Sequence, residues 1–102
     1  MRHLIVDGML SGTGIRDVLN GGYLEPSEIG LSENLQQQLS AWHSRYEEAH
    51  FNGYNDPICI DELDRDGLGI AQLMSQELPD AKIEYFSDAK MQRIHSIGTR
   101  TP

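Results

Sequence analysis

Cysteine is almost absent from the chain: Cys59 stands alone. A single thiol excludes an internal disulfide framework and suits a reducing compartment. Long apolar runs are missing as well. None approaches the roughly 20 residues that a membrane-spanning helix needs. "RHLIVDG" follows Met1 directly, with no apolar signal region. The expectation is a soluble cytoplasmic protein. Bases are scarce, with 8 Lys and Arg against 16 Asp and Glu, for a net charge of −8. Such a balance repels nucleic acid and anionic lipid, and it favours a basic macromolecular partner. Hydrophobic residues are few, at 38%, which predicts a thin core. At 102 residues the chain is a single domain, 1–102, with 98–102 expected as a frayed tail.

What is present reads as alternating short elements. "HLIVD", from His3 to Asp7, is an apolar run closed by Gly8 and predicts a buried strand. "GMLSGTG" is a loop. Asn20-Gly21 signals a hairpin pairing Ile15–Leu19 with Gly22–Leu24. Ser32 is an N-cap candidate. Beyond it, Leu35, Leu39, Trp42, Tyr46 and Ala49 share one helical face, so a helix runs from about Ser32 to Ala49 or His50. Gly53 and Pro57 act as stops. A second helix from about Ile60 to Leu78 carries Leu63, Gly67, Ile70, Ala71, Met74 and Leu78 on one face. Gly67 and Ala71 would let another backbone approach closely. After Pro79, "AKIEYFS" alternates as a strand from Ala81 to Ser87, and a short helical turn through Met91 and Ile94 is expected after it. The expected fold is α+β. A small sheet of N-terminal strand, hairpin and C-terminal strand carries two helices packed on one face. Its core joins the helical stripes to Leu4, Val6 and Ile83.

"DELDRDG", Asp61 to Gly67, has the look of a calcium loop. Placing Gly67 at position six of an EF-hand puts Glu62, Asp64 and Asp66 at one, three and five. Position twelve is then Leu73, which cannot supply the bidentate carboxylate. The acids read instead as the exposed first turns of a helix, where its dipole favours them. His43, Glu47 and His50 lie on one side of the first helix and form an alternative metal set, although the histidine spacing is not that of the zinc-protease motif. "GTG" has no P-loop lysine after it. Cys59 sits among Pro57, Ile58 and Ile60 and reads as a small buried hydrophobe. No nucleophile–base set stands out, so the expectation is a non-enzyme without cofactor.

The charge is concentrated. From Glu25 to Asp66 there are ten acids against two bases, a net of −8, while the rest of the chain balances six acids with six bases. The connector between the helices, "EEAHFNGYNDP", sets Phe51 and Tyr54 among carboxylates. Aromatics anchor interfaces and carboxylates steer a basic partner. Glu47, Glu48, Phe51, Tyr54, Asp56, Asp61 and Glu62 are therefore the candidate partner-binding residues.

The segment from Gly21 to Asp88 carries a wider pattern: Leu24, Pro26, Ile29, Gly30, Leu31 and Ser32, then Trp42, then Gly67, Ala71 and Met74, then Glu77-Leu78-Pro79 before Tyr85-Phe86. This pattern resembles small bacterial immunity proteins of polymorphic toxin systems, including contact-dependent growth inhibition. The resemblance implies a protein that binds and blocks a cognate toxin domain; a monomer or weak dimer is expected. Combined with the charge, it implies a basic nuclease whose active site an acidic surface occludes. The matching positions are turn, cap and core residues, and no functional residue is carried over. The alternatives are a small metal-binding protein or enzyme using His43, Glu47 and His50, or an adaptor domain with no toxin partner.

Overall fold

The computed structural model describes residues 2–94. Four strands form one mixed sheet: β1 (His3–Val6), β2 (Ile15–Asp17), β3 (Lys82–Ser87) and β4 (Gln92–Ile94), in the order β2-β1-β3-β4. β1 pairs antiparallel with β2, with Leu4 opposite Asp17, and parallel with β3, with Leu4 opposite Ile83. β4 returns antiparallel on β3. Between β2 and β3 run the helices α1 (Glu33–Phe51) and α2 (Pro57–Glu77), which pack against each other and against the sheet.

The local reasons are visible in the caps. The Ser32 side chain accepts from Leu35 N and starts α1. Glu77, at the far end of α2, accepts from both the Ser32 amide and its hydroxyl, tying the two helix ends together. Asp56 accepts from Ile58 N and Cys59 N. It thereby starts α2 at Pro57, three residues earlier than the sequence reading. Pro57 is not a stop but the first helical residue, where its missing N–H costs nothing.

One core joins the layers. Leu4, Val6, Ile15, Leu35, Leu39, Trp42, Tyr46, Leu63, Met74 and Tyr85 are all essentially buried. Leu78 and Ile83, expected in the core, are half-buried and pack against its edge, as does Cys59. Trp42 stacks at an angle on Tyr46 and edge-on against Tyr85, and its Nε1 donates to Leu63 O at 2.8 Å. The small residue Gly67 admits side chains rather than a backbone. A Cβ there would collide with the Tyr85 and Trp42 rings.

Three further expectations change. The hairpin shrinks to β2 and a single bridge, Arg16 to Tyr23. Asp17 ends the strand because its carboxylate accepts from the Leu19 and Asn20 amides, turning the chain locally. The segment through Met91 and Ile94 is not helical. Met91 takes φ +57 and turns the chain into β4. The acids of "DELDRDG" are not first-turn residues, because α2 has already run a full turn before them. Asp64 among them is fully buried. The expected frayed tail, 98–102, lies outside the described residues.

Candidate functional site

The carboxyl ends of β1 and β3, the C-terminal end of α1, the helix connector and the start of α2 all meet at one end of the molecule. Hydrogen bonds hold them there. Tyr46 Oη, on α1, accepts from Ala89 N at 2.9 Å, just past β3. His43 Nε2 lies 3.0 Å from Met9 O in the loop after β1. Lys90 Nζ donates to Asp61 on α2 at 2.7 Å. The connector turns tightly: Asn52 N donates to Glu48 O and Tyr54 N to Ala49 O. Gly53 and Tyr54 both adopt positive φ, +74 and +54. For Tyr54 that conformation is unusual. It directs the ring to Tyr46, edge-on at 6.1 Å, and its hydroxyl to His50 Nδ1 at 3.3 Å.

All seven residues singled out from the sequence lie on the last turns of α1, in the connector or on the first turns of α2, but they do different jobs. Phe51 is 75% exposed, and Glu48 and Glu62 are exposed with no ion-pair partner among the described residues. Asp56 is committed to capping α2, and Asp61 is paired with Lys90. Glu47 is half-buried, 3.9 Å from His43 Nδ1. Tyr54 is half-buried and lines a shallow depression with Ala49, Asn52, Asp56 and Cys59. Burial raises its hydroxyl pKa.

The metal alternative separates. His43 is buried on Met9 O, whereas His50 is exposed on Tyr54. Among the described residues no group of three or more His, Cys, Asp or Glu side chains is placed to hold a metal ion.

Several residues of this end escaped sequence reasoning. Ile58 is 72% exposed beside the connector. It stands off the α2 apolar face, a signal that the periodicity already contained. Asp7 is fully buried; it forms an ion pair with Arg16 at 3.0 Å and accepts from the Tyr23 hydroxyl at 3.1 Å. Asp64 accepts from Tyr85 Oη at 2.6 Å and Ser87 Oγ at 2.9 Å, with Lys90 Nζ 3.4 Å away. Burial, together with the bond to Asp64, raises the Tyr85 pKa, and burial pushes that of Tyr46 up to about 12. Asp88, the first residue after β3, is half-buried. Burial, then the nearby charge of Asp7, pushes its pKa up to about 6. Nothing local in the sequence marks these partners, because each lies many residues away.

Fold and site together define a small α+β domain with a carboxylate-rich end built around a helical hairpin. No family model, curated protein or solved structure matches the chain. Among the described residues no helix is long and apolar enough to cross a membrane.

Proposed function

We propose that the protein is a non-enzymatic immunity-type protein. It binds a basic toxin domain, a nuclease being the class its charge fits best, and blocks that domain's active site with its acidic end. One observation carries the reading. Phe51 and Ile58 protrude at the tip of the helical hairpin, 75% and 72% exposed, beside Glu48, Asp56 and Glu62. None of these three carboxylates has an ion-pair partner among the described residues. Large apolar side chains supply contact area, and the unneutralised acids steer a cationic surface onto it. Steering accelerates encounter, which suits a protein that must bind before its partner acts. Inhibition of this kind is occlusion and needs no chemistry from the domain.

The test co-expresses the protein with candidate basic nuclease toxin domains taken from neighbouring genes, scores growth rescue, and measures association kinetics in vitro with any domain whose toxicity is relieved. Glu48 and Glu62 are the informative positions, since neither caps a helix nor pairs with a base. Glu48→Lys with Glu62→Lys slows association by about tenfold or more at low salt, with melting unchanged. The slowing diminishes as salt screens charges beyond about 8–10 Å. An association rate indifferent to both substitutions and salt removes the acidic end as the binding face.

A further inference from the structure

We infer that the protein associates with a second copy of itself through the exposed face of its helical hairpin, as a two-fold dimer in which Ile58 of each copy seats over Gly69 of the other. Nothing in it depends on the toxin reading above.

α2 carries a line of residues on its outer side. Ile58, Glu62, Arg65, Gly69 and Leu73 follow one another at steps of four, three, four and four, which keeps them on one side of the helix. The opposite side holds the buried Leu63, Gly67, Ala71 and Met74. Ile58 is 72% exposed and Leu73 38%. Arg65, Gly69 and Leu73 border a shallow depression between the helices, shared with Ala41, Trp42 and Arg45. A Cβ on Gly69 would meet nothing within 4 Å, so the helix leaves an apolar seat open there.

The spacing is self-complementary. From Ile58 to Gly69 the steps four, three, four read the same in both directions. A second α2 laid antiparallel across the midpoint of Glu62 and Arg65 therefore brings Ile58 onto Gly69 and Glu62 onto Arg65. By symmetry each contact occurs twice. α1 repeats the pattern: Ala41, Arg45, Glu48 and Asn52 are exposed and stand at the same steps. Ala41 and Arg45 border the same depression as Gly69, so the two lines face the same way. Their midpoints also lie at one height. Arg45 donates to Asp66, and Ser32 donates to Glu77, which fixes the levels of the antiparallel helices. These contacts set the midpoint of Arg45 and Glu48 beside that of Glu62 and Arg65 to within about one residue, about 1.5 Å of rise. One two-fold axis thus serves both helices, and Arg45 meets Glu48 of the second copy.

The charges are available for this pairing. Glu62 and Arg65 stand three apart on one helix, as do Arg45 and Glu48, yet neither couple forms an ion pair within the chain among the described residues. Arg45 and Arg65 are the two bases of the acidic segment from Glu25 to Asp66, and both border the depression. A second copy brings acids in register with them. Exposed ion pairs are each worth little, so Ile58 and Leu73 provide the contact and the charges set the register. The dimer is accordingly weak. It covers Glu48, Ile58 and Glu62, and any protein bound there competes with it.

Sedimentation equilibrium of the intact protein is the test. The apparent mass rises from 11.5 kDa toward twice that value as the concentration climbs to about 1 mM. Glu62→Arg and Arg65→Glu each weaken association about tenfold or more, since each sets two like-charge contacts in the interface. Glu62→Arg also lowers the net negative charge, which by itself favours association, so its effect reports the pair. Both substitutions in one chain restore association to within about threefold, because the exchanged charges meet across the axis. Ile58→Ser abolishes it. All three positions are exposed, so dilute variants melt like the parent. Coupling within one helix cannot imitate the rescue, since it would show in melting and not in mass. A mass of 11.5 kDa throughout would overturn the inference and leave the face to another protein. A dimer indifferent to the single reversals, or a double exchange that stays dissociated, would overturn it as well.

Discussion

Two glycines of α2 predict opposite answers to the same substitution. Gly67 and Gly69 both lie inside the helix. Replacing an interior helical glycine by alanine gains about 0.5–1 kcal/mol, because glycine loses more backbone freedom on folding. At Gly69 an added Cβ meets nothing within 4 Å. Gly69→Ala should therefore keep the whole gain and raise the melting temperature by about 2–8 °C for a domain of this size. At Gly67 the same methyl lands on Tyr85 Cε1 and lies 2.8 Å from Trp42 Cζ2. Neither ring can swing aside freely. Tyr85 is 1% exposed and bonded to Asp64, and Trp42 is 2% exposed and bonded to Leu63 O. Overpacking costs about 1–3 kcal/mol, and a strained buried hydrogen bond adds about 1 kcal/mol. The helical gain offsets part of this, leaving Gly67→Ala destabilised by about 1–3 kcal/mol. Urea denaturation followed by circular dichroism and by Trp42 fluorescence measures both variants. Equal stabilisation of the two would refute the packing of Tyr85 and Trp42 over Gly67, and with it the docking of α2 on β3.

Trp42→Ala removes the central ring of the core together with its bond to Leu63 O, at a cost of about 3–5 kcal/mol. That is a large share of the stability of a small domain. A thermal melt like that of the parent would contradict the burial of the ring. Asp64→Ala leaves the Tyr85 and Ser87 hydroxyls without their acceptor in a buried site, and should cost about 2–5 kcal/mol by the same denaturation assay. A loss below about 0.5 kcal/mol would mean that water already satisfies those groups.

Much of the architecture was written locally. The 3.6-residue spacing of Leu35, Leu39, Trp42, Tyr46 and Ala49 set the buried face of α1, and the Ser32 hydroxyl set its start. "HLIVD" declared one strand by its apolar run, and "KIEYF" another by the alternation of Ile83 and Tyr85 with Lys82 and Glu84. Such signals are legible because each depends on residues within a turn or two of one another. The concentration of charge between Glu25 and Asp66 needed no structure either. Its meaning for single residues did. Asp56, Asp61, Asp64 and Glu62 look alike in the chain, yet one caps a helix, one pairs with Lys90, one is sealed beneath Tyr85 and one faces solvent. The difference comes from partners 21–29 residues away for Asp61 and Asp64, which only the docking of β3 on α2 supplies. β4 was misread because Met91, through its positive φ, turns the chain back along β3 and pairing decides the outcome. Asp7 is the extreme case: it is fully buried, and its partners Arg16 and Tyr23 come from β2 and from the loop after it. Charge burial is a property of the assembled tertiary structure, so no local pattern announces which carboxylate is sealed inside.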